Sequence, residues 1–410
     1  MSEYNEYKLL NNLTVFRGIL RDEVIVDFLR LYETDEAEME KHEAEFVHAM
    51  VEVSEEYHLS GNVFCKYIYL LLLKDKNKFS LACENHSMII ESSLYKLAKS
   101  DLDLIIRLTA VDISNIWRGT KEIMDYTPLD SFGGGWLDSF CNTHNSDELM
   151  DSLLEFFEEN GCGALAFYDM FGLDNLGNMV PVENYDRVIF EDLVGLEHQK
   201  TALRENAERF LEQKPARHML LTGGRGQGKS SCVKALANEY DNLKLIEIHK
   251  DKLCFLPKIL SELKVRGKYF IILFDDLSFD DSDTTYKRLK SVLDGGVLTA
   301  PINVLFAATS NRRRLVRMSW AERQGDEPHI SDTLNEKFSL ADRFGLTIDF
   351  PNLSPDEYCN IVAELAEREG LNLNGKELRK RALTWDINRH GMSGRTARQF
   401  VDTLIMDSRK

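Results

Sequence analysis

The residues with the clearest chemical purpose are Gly223-Gly224-Arg225-Gly226-Gln227-Gly228-Lys229-Ser230, followed by Ser231. They fit the pattern G-x-x-x-x-G-K-[ST] at every fixed position. Glycines let a backbone bend sharply and approach an anion closely. Successive N–H groups and the positive end of the next helix then converge on phosphate oxygens. In such a loop Lys229 reaches the β- and γ-phosphates of a nucleotide, and the Ser230 hydroxyl ligates Mg²⁺. The plain alternative is a glycine-rich turn ahead of an ordinary helix.

Further polar residues follow at the ends of apolar runs. Leu273-Phe274-Asp275-Asp276 delivers two acids. Beside a phosphate loop, Asp275 would hold the ion directly or through water, and Asp276 would orient or deprotonate an attacking water. Alone, the pair would read as an exposed turn. Ala308-Thr309-Ser310-Asn311 ends on an amide able to bond both a γ-phosphate and a water, or to serve as a simple turn residue. Arg312-Arg313-Arg314 comes next, a basic cluster suited to a solvated loop, a subunit contact or a polyanion such as nucleic acid. Arg343 could pair with Asp342 or reach the γ-phosphate held by a neighbouring subunit. Arg395 stands in the first turn of a predicted helix, where a cation opposes the dipole unless it is solvated or faces an anion.

The elements that must position these groups are legible as runs. His218–Thr222 is short and mostly apolar, as a buried parallel strand should be, and Val233, Leu236, Ala237 and Tyr240 mark one face of the helix after the loop. Leu243–Ile248, Tyr269–Phe274, Ile302–Ala308 and Leu346–Phe350 are four more apolar runs separated by helix-length sequence. Such alternation predicts a five-stranded parallel sheet flanked by helices, with ligands at the carboxyl ends of the strands. Ser354-Pro355-Asp356-Glu357 is a full helix-start signal, and Tyr358, Ile361, Val362 and Leu365 form the apolar face behind it. A last helix opens at Ser393-Gly394-Arg395 and buries Ala397, Phe400, Val401 and Leu404.

The front of the chain reads as helical. Leu149, Leu153, Phe156 and Phe157 form one stripe between Asn145-Ser146 and Asn160-Gly161, and Phe46, Met50, Val53 and Tyr57 form another. Phe132-Gly133-Gly134-Gly135-Trp136 lacks a following Lys-Ser and predicts a loop, and Asp174–Asp186 predicts a linker.

A chain of 410 residues, 43% hydrophobic and 29% charged, suits two or three soluble domains. Its longest apolar run, Tyr67–Leu73, is too short to cross a bilayer, and Glu3 and Glu6 stand where a signal peptide needs basic residues. No membrane role is expected, and the expected location is the cytoplasm. Seven scattered cysteines without C-x-x-C suit buried free thiols in a reducing compartment and predict no structural metal. The net charge of −18 is uneven: residues 1–185 hold 14 Lys and Arg against 34 Asp and Glu. That half is a poor nucleic-acid surface, so its acidity is either solvated surface or a face for a basic partner.

In this order, the motifs resemble those of the AAA-plus superfamily of ATPases. The loop at Gly223 matches Walker A, Asp275 and Asp276 Walker B, Asn311 sensor 1, Arg343 the arginine finger and Arg395 sensor 2. Phe190–Leu196, with Val194 and Gly195, is similar to the segment that lines the adenine pocket. Phe274-Asp275-Asp276-Leu277-Ser278-Phe279, Ala308–Arg313 and Ser393-Gly394-Arg395 resemble the bacterial placeholder family called domain of unknown function 815, across roughly residues 160 to 405. One departure stands out: many AAA-plus members have Asp-Glu where this chain has Asp275-Asp276.

The resemblance implies an all-α N-terminal domain (1–178), an α/β nucleotide-binding core (179–352) and a helical lid (353–410), often in ring-like homo-oligomers. It also implies Mg²⁺-dependent ATP binding and hydrolysis, with Arg395 coupling the lid to remodelling or loading of a macromolecular partner. A slowly hydrolysing ATP-dependent switch or adaptor is the alternative, and a P-loop kinase a more distant one.

Overall fold

The computed structural model describes residues 7–31, 36–110, 120–129, 137–143, 145–277, 285–293, 299–311, 342–371, 374–387 and 391–408. The predicted loop at 132–136 and the basic cluster Arg312–Arg314 lie outside them. The chain divides into two compact units, Met1–Phe167 and Tyr168–Lys410.

The first unit is helical throughout its described part: α1 Glu23–Arg30, α2 Glu36–Glu56, α3 Val63–Lys74, α4 Lys78–Glu84, α5 Ser93–Thr109, α6 Thr120–Met124, α7 Asp138–Cys141 and α8 Ser146–Asn160. The long apolar run of the sequence is α3, which is buried on nearly every side. A helix apolar all round belongs at a centre, and aromatic residues from its neighbours, Phe28, Phe46, Phe79 and Phe157, share its core. The predicted stripe of α8 is buried at Leu149, Leu153 and Phe157, behind an Asn145 cap that accepts from the Glu148 amide at 2.8 Å.

The second unit is built on a sheet of seven strands: β1 Met170–Leu173, β2 Met179–Pro181, β3 Met219–Gly223, β4 Leu243–Glu247, β5 Tyr269–Phe274, β6 Val304–Ser310 and β7 Leu346–Phe350. Their spatial order is β2-β1-β4-β5-β6-β3-β7. The five expected strands form the parallel run from β4 to β7, and β1 adds a parallel strand beside β4. The five-strand expectation therefore falls short by two.

The missing strands lay in and next to the predicted linker. β1 and β2 pair antiparallel, and the Asn- and Gly-rich stretch between them is a hairpin turn. There Asp174 accepts from the amides of Leu176 and Asn178 at 2.8 Å each, which is turn chemistry and not linker composition. The unit accordingly begins at Tyr168, ahead of the boundary expected at 178. The fourth predicted strand also begins late, at Val304, leaving Ile302 94% exposed. Asn303 explains the delay: its amide nitrogen donates to the carbonyls of Leu263, Arg266 and Lys268, each at 3.0 Å, and so holds a turn.

Helices fill the crossovers: α9 Glu197–Leu211 precedes β3, α10 Lys229–Glu239 follows it, and α11 Leu256–Leu263 and α12 Thr285–Leu293 come later. Leu203, Ala207 and Phe210 of α9 and Cys232, Val233 and Leu236 of α10 bury one face of the sheet. Three closing helices, α13 Pro355–Arg368, α14 Gly375–Ile387 and α15 Gly394–Ser408, form an apolar core of their own around Tyr358, Val362 and Phe400. The capping box predicted at Ser354 is present, with Glu357 accepting from the Ser354 amide at 2.8 Å.

Candidate functional site

Between β3 and α10 the chain leaves the sheet through Gly223 and enters a helix at Lys229. Gly223 has φ +147°, and a Cβ there would lie 2.0 Å from the Phe350 carbonyl oxygen, so only glycine fits beside β7. Gly226 has φ +74°, and its missing side chain leaves room for Ser393 and Arg395 at the head of α15. The Arg395 amide donates to the Gly226 carbonyl at 3.2 Å, and Gln227 Nε2 donates to the Met392 carbonyl at 3.0 Å. The loop is thus fastened to the sheet at one end and to the closing helices along its length.

Lys229 is buried, and its Nζ donates to the carbonyls of Gly223 (2.9 Å) and Gly224 (2.6 Å) and to Asn311 Oδ1 (3.0 Å). Burial pushes its pKa below the ordinary lysine value. Asp275 and Asp276 pull it back, and Arg395 adds to the depression. Ser230 Oγ donates to Asp275 Oδ1. Asn311 Nδ2 donates to Asp276 Oδ1 at 2.6 Å. The loop, the two acids and the amide are therefore one hydrogen-bonded network drawn from the ends of β3, β5 and β6.

These groups face a cavity of about 1000 Å³. Arg225–Ser231, Asp275, Asp276, Thr309, Asn311 and Arg395 line its polar side. Val194, Leu196, Ile361 and Leu365 line it with apolar surface, and Gly195 (φ +78°) packs beside Ile361. Parallel strands direct their carboxyl ends to one edge, and that shared edge is why residues far apart in sequence meet here. Arg343 is elsewhere. It is exposed and precedes β7, whose register places Leu346 beside Met219 and Phe350 beside Gly223. It therefore stands at the edge where strands begin, about 16 Å from the loop at a strand's usual rise.

One contributor was not singled out from sequence, and a second, Gln227, was placed in the phosphate loop without the contact that it makes. Thr309 is 1% exposed, and its Oγ1 donates to Asp275 Oδ1 at 2.6 Å while accepting from the Asp276 amide at 2.9 Å. A pair of hydroxyl residues, Thr309 and Ser310, closing a strand that is otherwise apolar was the signal available. Gln227 occupies a free position of the motif, and only the fold reveals its bond to Met392.

A family model described as "Protein of unknown function (DUF815)" matches residues 166–408, more than half of the chain. The chain belongs to this family. The match begins two residues before the second unit and ends within α15, so the DUF815 region coincides with the part that carries the loop, the acids and the closing helices. The helical first unit lies ahead of it. A search among curated proteins found no match.

Proposed function

We propose that this DUF815 protein is an AAA-plus-type ATPase that binds ATP with Mg²⁺ and hydrolyses it to drive motion of its closing helices. One observation carries the reading: Lys229, Ser230, Asp275, Asp276, Asn311 and Arg395, from separate elements, line a single cavity. Both signs of charge face it, which suits a metal–triphosphate: the cations would meet phosphate oxygens and the carboxylates a shared metal. Ser230 and Asp275, already in contact, supply hard oxygens for Mg²⁺, which when bound would draw negative charge off the phosphates. Among the described residues no cluster of three His, Cys, Asp or Glu side chains could hold an ion unaided, so the nucleotide itself would complete the coordination.

The chain's own groups then have distinct work. Lys229 would exchange its bonds to two carbonyls and Asn311 for phosphate oxygens. Asn311, released from Lys229, and Asp276 would orient the attacking water. Arg395, whose own backbone amide is bonded to the Gly226 carbonyl, would report the γ-phosphate to the closing helices. Arg343, a strand's length from its own loop, would serve the site of a second copy. The partner remodelled or loaded would be a macromolecule, with the acidic first unit as its docking surface.

Calorimetry with MgATP tests the reading. Wild type should bind, and Lys229→Ala should lose at least about 100-fold in affinity. Equal affinity in both would remove the site. Phosphate release per subunit should rise with protein concentration, and Arg343→Ala should abolish that rise while leaving binding intact. A slowly hydrolysing switch is favoured instead if turnover is low at every concentration, a reading that the short Asp276 carboxylate and its bond to Asn311 keep open.

A further inference from the structure

Asp276 is one of few non-glycine residues with a positive φ, at +48°. Three bonds hold it there. Its amide donates to Thr309 Oγ1 at 2.9 Å, the next amide, of Leu277, donates to the Thr309 carbonyl at 2.7 Å, and its carboxylate accepts from Asn311 Nδ2 at 2.6 Å. The same Thr309 hydroxyl donates to Asp275 Oδ1 at 2.6 Å. A hydroxyl has one proton to give and lone pairs to receive with, so one buried oxygen can serve both acids at once.

We propose that Thr309 is a positioning residue for hydrolysis, holding Asp275 through its proton and the left-handed Asp276 backbone through its lone pair. The proposal rests on the ATPase reading above and adds to it a reason for the Asp-Asp pair. Left-handed backbone is adopted by Asp and Asn more often than by most residues that carry a side chain, although Glu91 and Gln213 also adopt it in this chain. The shorter acid is then the residue type that suits this turn better, not a weakened version of Glu. Its carboxylate reaches the cavity because the turn, and not an added methylene, brings it there.

The test uses the full chain with MgATP. Thr309→Val keeps the shape and removes the hydroxyl, and should lower kcat about 10- to 100-fold while ATP affinity stays within about threefold. Thr309→Ser, which restores the hydroxyl, should recover kcat to within about threefold of wild type. Asp276→Glu, which installs the more usual acid, should lower turnover and not raise it. The proposal is overturned by wild-type kcat in Thr309→Val, by Thr309→Ser failing as badly as Thr309→Val, or by Asp276→Glu exceeding wild type. Should Thr309→Val not fold, Asp276→Glu decides, because its side chain is exposed. Wild type that binds ATP but never releases phosphate sinks the hydrolysis reading and this proposal together. Normal wild-type hydrolysis with an indifferent Thr309→Val sinks this proposal alone.

Discussion

The first unit gathers successive backbone amides on a carboxylate of its own, and the second sets a glycine-rich loop against a cavity. In the first unit, the amides of Thr14, Val15 and Phe16 converge on the Asp101 carboxylate at 2.7–3.1 Å, and the Thr14 hydroxyl joins them at 3.0 Å. Asp101 is 1% exposed, so this anion site is filled by the chain itself and ties the N-terminal segment to α5. In the second unit, the loop carries glycines with positive φ, and the surrounding side chains face a cavity. A nest of amides is thus not a ligand site by itself. Glycine where a Cβ would collide, and charge of both signs at an open edge, separate the loop at Gly223 from the knot at Asp101.

The sharpest way to break the comparison is to close the loop sterically. Gly223→Ala would place a methyl 2.0 Å from a backbone oxygen at a φ that side chains rarely adopt. It should cost on the order of 4 kcal/mol and abolish ATP binding. Near-wild-type unfolding in urea with normal affinity would show that the loop is not fixed against β7 as described. The counterpart, Asp101→Ala, strands three amides and a hydroxyl in the first unit and should cost about 3 kcal/mol there. ATP affinity should not change. A matching loss of affinity would erase the distinction between the knot at Asp101 and the proposed nucleotide site.

His218 sharpens the contrast within the second unit itself. It precedes β3, accepts from the Phe306 amide through Nδ1 at 3.1 Å, and lies against the Phe306 ring. Burial pushes its pKa down from 6.5 to about 4. A depressed value means that the fold holds the ring neutral, so its contribution is complete above about pH 6.5. As pH falls from there toward 4, the unfolded chain takes up a proton that the folded one refuses. Stability should drop by up to about 2 kcal/mol, after allowance for the ring's partial contact with solvent. Urea unfolding across that range should show the slope, and His218→Asn should flatten it. An unchanged slope in the variant would move the cause to other groups.

Much of this was legible because the signals were local. Gly223–Ser230, Asp275 and Ser354 carry their meaning in residue type and spacing, and the five expected strands are short, mostly apolar runs bounded by polar turns. What escaped depends on contacts distant in sequence. β1 has only four residues and joins the sheet by pairing with β4, a partner more than 70 residues away. Thr309 looks like any strand residue until the ends of β5 and β6 lie side by side. Gln227 fills a position that the motif leaves free, and its partner Met392 lies in the segment just ahead of α15. Arg343 was legible as a residue type, but only the register of β7 separates it from its own loop.

The smallest predicted effect tests whether the closing helices act as a coupled part of the site or only as its wall. Ser354 caps α13: its Oγ accepts from the Glu357 amide at 3.3 Å, and the Glu357 carboxylate, held below the usual range by the Ser354 amide and hydroxyl, completes the box. Removing the hydroxyl in Ser354→Ala should cost about 1 kcal/mol of helix stability. The same helix contributes Ile361 and Leu365 to the cavity, on the apolar side. A frayed α13 should therefore loosen nucleotide binding by no more than about fivefold, with kcat nearly unchanged, because the acids and Asn311 lie on the sheet. If kcat falls as much as affinity, the start of α13 takes part in the chemistry, and the division between the sheet edge and the closing helices must be redrawn.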